Sequence, residues 1–380
     1  MRAIRYIGFD DTTGYGVSAA NLVAALRQEG LTVRWSPIIG GQFAAYSCSC
    51  HGGGEAHDKT LVHTVPEYYP AWVEAEKSGA GHREVWGYTT WETDRLPAYW
   101  PELLNLMDGI LVPCRWNEEV FRACGVRTRI EVLPHISQFC GRTPAEPPSP
   151  DLERLFSRLE DRFVFYCVGE WSERKAPWKT LDAFWAEFAG EDRAVLVLKT
   201  GEKDYATYKR RWDRPWMFRP GRASEAFEKA VKGRAGRSGI IHITDGLSDN
   251  DMAWLHRRGD CFVSLTRGEG WGMGAYEAAW WGKPVIITGF GGQLDYLPAD
   301  LSYHVDYKMT PVRRVRGWES YTEDQLWAEP DLAHARSLMR LVFQDLPAAR
   351  EKGAKLREYV GSHFAPYSIA RRLMGYLGCG

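Results

Sequence analysis

Apolar residues in this chain come mostly in short unbroken runs, parted by stretches in which they recur every three or four positions. RAIRYIGF (Arg2–Phe9) reads as a strand, followed by the loop DDTTGYGVS and an amphipathic helix carrying Leu22, Val23 and Leu26. Gly30 suits the cap of that helix, and LTVRWSP resumes a strand, so the chain opens as a β-loop-α-β unit. Further strands are expected at Thr60–Val65, Val85–Thr90 and Gly109–Pro113, then a helix around Trp116–Cys124 and a short strand Ile130–Leu133. The second half repeats the alternation. Strands are expected at Arg162–Val168, Ala194–Lys199, Ile240–Thr244, Cys261–Leu265 and Val285–Thr288, with a helix at Trp178–Phe188. Strands apolar throughout, rather than alternating, point to parallel sheets covered on both faces.

A chain of 380 residues exceeds what one hydrophobic core usually supports, so two domains are expected. The run TPAEPPSP (Thr143–Pro150) has four prolines and suits neither a helix interior nor a central strand. It sets the expected boundaries: an N-terminal domain over 1–142, a second domain over 143–364, and a terminal helix over 365–380. In that helix Ile369, Leu373 and Leu377 share one face. Apolar residues at 44% and charged residues at 26% fit a soluble globular protein. No apolar run approaches a membrane span, and MRAIRYIGFDD does not read as a signal peptide, so a cytoplasmic location is expected. Eight cysteines without regular spacing suit reduced thiols. Cys48, Cys50 and His51, with His57 and His63 downstream, lack the second ligand pair that zinc sites usually show, so no metal site is expected.

Charge changes the picture in one place. Between Tyr205 and Ile240 ten Lys or Arg face three Asp or Glu, a local net of +7 that leaves −8 for the rest of a chain whose net charge is −1. Tyr205, Tyr208, Trp212, Trp216 and Phe218 are interleaved with these charges. Such a stretch suits polyanions, or else is a solvated surface insertion over about 205–240.

The most informative segment is EGWGMGAYE (Glu269–Glu277), running on into AAWWGKPVII. Two carboxylates stand eight positions apart, the first in a glycine-bounded loop and the second in the first turns of a helix. Gly272 and Gly274 let backbone approach a ligand, and the helix start near Met273 offers N–H groups and partial positive charge to phosphate. Glu277 could accept a ribose diol and Glu269 sugar hydroxyls.

Glu-x7-Glu between the strand Cys261–Leu265 and Gly282-Lys283-Pro284 resembles the donor-binding segment of family 4 glycosyltransferases. The resemblance implies an α/β fold of the GT-B architecture, with two Rossmann-like domains facing a central cleft, a retaining mechanism and a final helix that crosses back to the first domain. In VGEWSERKAPWKTL it places Lys175 on the donor pyrophosphate. The family usually has an Arg where this chain has Glu170, and Arg174 could supply that charge. The loop Thr12–Gly16 matches the family's Gly-rich first loop, with Gly14 and Gly16 in an anion-friendly nest. In TTWETDRLP many relatives carry a His near Trp91-Glu92; Glu92 could accept an acceptor proton or merely orient the acceptor, and Trp91 could stack on a ring. His135 in LPHIS matches an interdomain segment whose usual Gly is Ile136 here.

The resemblance therefore implies a metal-independent enzyme moving a sugar from a nucleoside-diphosphate sugar, its co-substrate, to an acceptor hydroxyl. Glu269, Lys175 and Glu92 are the catalytic candidates. Gly14, Gly16, Arg174, Lys175, Glu269, Gly272, Met273, Gly274 and Glu277 are the donor-binding candidates, and no other cofactor is implied. A saccharide, lipid or small-metabolite acceptor is the family's expectation. Two alternatives stay open: hydroxylated bases of DNA as acceptor, and a non-catalytic module that binds nucleotide or polyanion.

Overall fold

The computed structural model describes residues 3–38, 57, 59–78, 83–140, 143–191, 193–210, 218–234, 239–313 and 319–379. The chain divides into two units, Met1–Cys140 with Gly361–Gly380, and Gly141–Val360. Each is built on its own six-stranded sheet.

In the first unit the strands are β1 (Ala3–Phe9), β2 (Thr32–Ile38), β3 (Lys59–His63), β4 (Glu84–Tyr88), β5 (Gly109–Val112) and β6 (Ile130–Val132). All pair in parallel, in the order β2-β1-β3-β4-β5-β6. Parallel strands need crossovers, and the helices Gly14–Gln28, Tyr69–Lys77 and Arg115–Ala123 supply them. The helix Pro366–Tyr376 belongs to this unit. It buries Ile369, Ala370 and Leu373, and Tyr376 Oη donates to the Val132 carbonyl at 3.2 Å.

In the second unit the sheet strands are β7 (Phe163–Val168), β8 (Ala194–Lys199), β11 (Ile240–Ile243), β12 (Cys261–Ser264), β13 (Val285–Thr288) and β14 (Tyr303–Val305). Their order is β11-β8-β7-β12-β13-β14, again all parallel. Two antiparallel ribbons lie outside it: β9 (Lys203–Arg210) with β10 (Phe218–Arg222), and β15 (Tyr307–Pro311) with β16 (Leu326–Pro330). The central strands are apolar because both faces are covered. Phe165, Tyr166 and Phe262 are fully buried, each contributing about 1.5–3 kcal/mol by leaving water.

The expected strands match the observed ones to within two residues, the surplus falling mostly at their C-terminal ends and, at Leu31 and Arg162, at the N-terminal end. At the C-terminal ends Thr64, Val65, Thr89 and Thr90 leave the sheet as loop. Pro150, expected in the linker, instead opens the helix Pro150–Ser157, where a missing N–H costs nothing. The basic stretch expected as an insertion forms the ribbon β9–β10 and the helix Ala223–Val231; Trp212 and Trp216 lie outside the described residues.

The loop after β1 is held by its own acid. Asp11 Oδ1 accepts from Thr13 N at 2.9 Å, and Thr13 Oγ1 caps the helix Gly14–Gln28 through Gly16 N. A Cβ on Gly16 would stand 2.2 Å from the Asp11 carbonyl oxygen, whereas one on Gly14 would meet nothing within 4 Å. Gly16→Ala should therefore destabilise the protein by about 1–3 kcal/mol, while Gly14→Ala should leave thermal unfolding nearly unchanged. Equal effects in the two variants would contradict this account of the loop.

Candidate functional site

In the second unit the chain leaves β12 and turns at Arg267-Gly268-Glu269. Arg267 is buried, donating to Glu173 Oε2 and Glu329 Oε2 at 2.7 Å each and to the Glu173 carbonyl at 2.8 Å. Its guanidinium also lies 5.1 Å from the Trp327 ring centre. Arg267 N donates to the Arg174 carbonyl at 2.8 Å, so this cation ties the loop after β12 to the loop after β7.

That tie brings three charges together. Lys175 Nζ donates to Glu269 Oε1 at 2.6 Å, and Arg174 Nη1 to Glu269 Oε2 at 3.1 Å and to the Gly268 carbonyl at 2.8 Å. Glu269 is 6% exposed. Burial alone would push its carboxyl up, but Lys175 and Arg174, through charge and hydrogen bonds, outweigh burial and hold it below the ordinary carboxylate value. One carboxylate and two cations leave the cluster with one net positive charge.

Beside it begins the helix Met273–Trp280. Gly272 stands before it in the left-handed region, at φ +84°, where a side chain would be strained and would crowd Tyr296 and Gln293. No side chain caps this helix start and no acid stands in its first turn, so its N–H groups and positive dipole end keep their anion-binding character. Tyr296 Oη, 2.8 Å from the Gly272 carbonyl, fixes the entry from below. Gly274 serves packing instead. A Cβ there would meet the Val168 carbonyl at 3.0 Å and the Phe262 ring, so its smallness lets the helix lie on β7 and β12. Glu277, one turn further, is buried with Oε2 3.4 Å from His256 Nε2, while Tyr166 Oη is hydrogen-bonded to His256 Nδ1 at 2.9 Å.

The first unit gathers a polar cluster at its own strand ends. His63 Nδ1 meets Tyr6 Oη at 2.7 Å; His135 Nδ1 meets Ser18 Oγ at 2.6 Å and Tyr88 Oη at 2.8 Å; the His63 and Tyr88 rings stack at 4.2 Å. Burial pushes His135 down to about 3 and His63 well below its ordinary value. Tyr15 Oη is hydrogen-bonded to Thr89 Oγ1 at 2.9 Å, and its phenol is raised by burial and by nearby Glu92. Glu92 is half-buried. Trp91 is not available to stack on a ligand: it is buried against Trp100, and its indole N–H donates to Thr93 Oγ1 and the Arg95 carbonyl, both at 2.7 Å.

Thus the structure joins Arg174, Lys175, Glu269, Gly272, Met273 and Glu277 in one unit, and keeps Gly14, Gly16 and Glu92 in the other. Glu170, where the family's Arg was expected, lies near Tyr205. Sequence reading missed Arg267 and His256; the only signal for Arg267 was a charge standing directly between an apolar strand and a glycine loop. Among the described residues no group of three or more His, Cys, Asp or Glu is arranged to hold a metal ion, and no helix is long and apolar enough to cross a membrane. Cys48, Cys50 and His51 lie outside the described residues; His57 pairs with Glu76 at 3.1 Å, and all six described cysteines are free thiols.

No protein-family model matches the chain, and no curated protein matches it in sequence. Solved structures do match in fold. Anabaena Alr3699/HepE in complex with UDP superposes with a TM-score of 0.68 at 12% identity, over 100% of both chains. A trehalose-6-phosphate protein from E. coli bound with UDP-2-fluoro glucose gives 0.67 at 12%, over 99% of both. WaaG, a glycosyltransferase involved in lipopolysaccharide biosynthesis, gives 0.63 at 14%, over 100% of both. The fold is that of the GT-B architecture, with two Rossmann-like domains.

The two units should respond to acid differently. His63 and His135 have native values below their unfolded one, so the stability they contribute is full above about 6.5 and is lost as pH falls through those native values, about 3 for His135. Glu269 also has a lowered native value, and its contribution is lost only as pH falls from about 4.5 through that value. Melting followed from pH 8 to 4 should show a decline beginning near 6.5, with a shallower slope in His135→Gln. Lys175→Ala should lower unfolding free energy by less than the roughly 3–5 kcal/mol of a fully broken buried pair, because Arg174 remains; a neutral effect by urea titration would contradict the burial argument.

Proposed function

We propose that the chain is a retaining, family 4-like glycosyltransferase that moves a sugar from a nucleoside-diphosphate sugar to an acceptor hydroxyl without a metal. The observation that carries this reading is the buried Lys175–Glu269–Arg174 cluster beside an uncapped helix start. Its net positive charge and the N–H groups of the helix suit a diphosphate, while the Glu269 carboxylate suits hydroxyls of the sugar attached to it. The UDP and UDP-sugar carried by HepE and the E. coli protein support the same donor class.

In the proposed reaction the bond from the anomeric carbon to the phosphate oxygen breaks, and the nucleoside diphosphate leaves with the electron pair. Lys175, Arg174 and the N–H groups near Met273 stabilise the charge that develops on it. The acceptor oxygen forms its new bond on the same face, and its proton passes to the departing phosphate. Glu277 takes the ribose diol, with His256 and Tyr166 behind it fixing the carboxylate. Arg174 takes the duty of the cation missing at Glu170. Glu92 is assigned to orienting the acceptor, and Gly14–Gly16 to supporting the loop beside it.

The test is release of nucleoside diphosphate across a panel of UDP-, GDP-, ADP- and dTDP-sugars. Lys175→Ala should lower kcat about 10²–10³-fold, as for loss of one oxyanion-type donor. Glu277→Ala should raise the donor's KM with little change in kcat, since the ribose is bound equally in ground and transition states. No release from any donor, by protein with a native melting transition, would overturn the reading.

A further inference from the structure

Five carboxylates are buried among the described residues, and four of them have their hydrogen-bond donors at hand. Glu76 accepts from Arg5 and Thr60, Glu269 from Lys175 and Arg174, Asp204 from Ala206 N and Thr207 N, and Asp251 from Ser149 N. Glu277 is the exception. It is 5% exposed, and its carboxylate accepts no hydrogen bond from the described residues. What it has instead is His256, whose Nε2 stands 3.4 Å from Oε2, just beyond a good hydrogen bond. A buried carboxylate short of donors is costly, and a ligand that brings hydroxyls supplies what the chain does not.

The imidazole beside it is held with care. His256 is wholly buried in the last turn of the helix Asp249–Arg258, and its Nδ1 is hydrogen-bonded to Tyr166 Oη at 2.9 Å. Tyr166, on β7, is pinned from three sides. Its ring meets that of Phe262 edge-on at 5.3 Å and the imidazole edge-on at 5.4 Å. Gly259 passes so close that a Cβ there would stand 2.3 Å from the ring. Burial first, then Cys261, Glu277 and Asp260, push the phenol well above its ordinary value, so it keeps its proton. The tautomer follows. A bare Nε2 would set its lone pair against the carboxylate, so Nε2 carries a hydrogen and Nδ1 accepts from the phenol.

We propose that Tyr166 and His256 are positioning residues: the phenol fixes the imidazole, and the Nε2–H so aimed holds Glu277 by Oε2 and leaves Oε1 to a ligand diol. The consequence is selectivity for ribonucleotides over 2′-deoxyribonucleotides, because a sugar lacking one hydroxyl leaves part of the carboxylate's need unmet. The inference rests on the assignment of ribose to Glu277 and deepens it, naming the pair that tunes the contact and the donors it rejects.

The experiment is isothermal titration calorimetry of the full chain with UDP, GDP and ADP, each beside its 2′-deoxy counterpart. The nucleotide that binds should do so roughly ten- to a hundredfold more tightly than its 2′-deoxy form, as for a hydrogen bond to a charged group. Glu277→Ala should abolish that preference. Tyr166→Phe, which removes one oxygen and keeps the ring, should shrink it roughly three- to tenfold, with the 2′-deoxy form bound nearly as by the parent. His256→Gln, which still offers an N–H, should keep more of the preference than His256→Leu. Loosened packing would weaken both forms alike, so equal losses in Tyr166→Phe would overturn the proposal, as would an undiminished preference there. A preference lost in Glu277→Ala but intact in Tyr166→Phe would refute this inference and leave the ribose assignment standing. Binding of no nucleotide, or a preference that survives Glu277→Ala, would refute both.

Discussion

The second unit is organised by the need to keep one buried carboxylate ionised. Glu269 stands where a parallel sheet ends, out of water, and a charge there is tolerated only with charges of opposite sign in contact. Lys175 and Arg174 meet that need from a loop 94 and 95 positions away in sequence. Much of the local structure serves this meeting. Arg267 binds the two loops together through Glu173, Glu329 and the Arg174 carbonyl, and Gly291, at φ +97°, lets the loop after β13 lie directly against the Glu269 backbone. A neutral residue at 269 would leave two cations facing each other. The carboxylate is thus a structural partner of both loops, whatever else it does.

The first unit handles polarity at its strand ends in the opposite way. His63, His135, Tyr6, Tyr88 and Ser18 satisfy one another while uncharged, and burial drives both imidazoles down so that they stay neutral at ordinary pH. The strand ends of one unit therefore carry a buried cluster of net positive charge, and those of the other a neutral network of donors and acceptors. That division follows the usual placement of ligand sites at the C-terminal ends of parallel strands, where loops rather than strands carry the chemistry.

The two ribbons are where this chain departs from a plain doubly wound sheet. Neither extends a parallel sheet; β9 and β16 instead contribute Tyr205 and Trp327, with Tyr321 from the segment before β16, to a small recess lined also by Arg174 and Glu173. The fold alone would make them ornaments. Through Tyr205 and Trp327 they meet the Arg174 side chain that pairs with Glu269.

Much of the architecture was legible in the sequence. Unbroken apolar runs such as FVFYCV and AVLVLK can be buried only on both faces, which dictates parallel strands with helical crossovers, and Glu269–Glu277 announced its loop and helix through glycines that other residues cannot replace. Lys175 was singled out by the family resemblance alone, and the fold sets it against Glu269. The ends of strands were less legible, because hydrogen bonding and not side-chain type decides where Thr64 or Thr89 leaves the sheet. Pairing was not legible at all. That Trp91 turns inward onto Trp100, that His256 stands behind Glu277, that Arg267 is a buried clamp and that the basic stretch sets cation opposite cation are facts of register and packing between residues tens of positions apart. Local pattern fixes which face of an element is apolar; only the tertiary fold, by closing long loops into contact, decides which charge meets which.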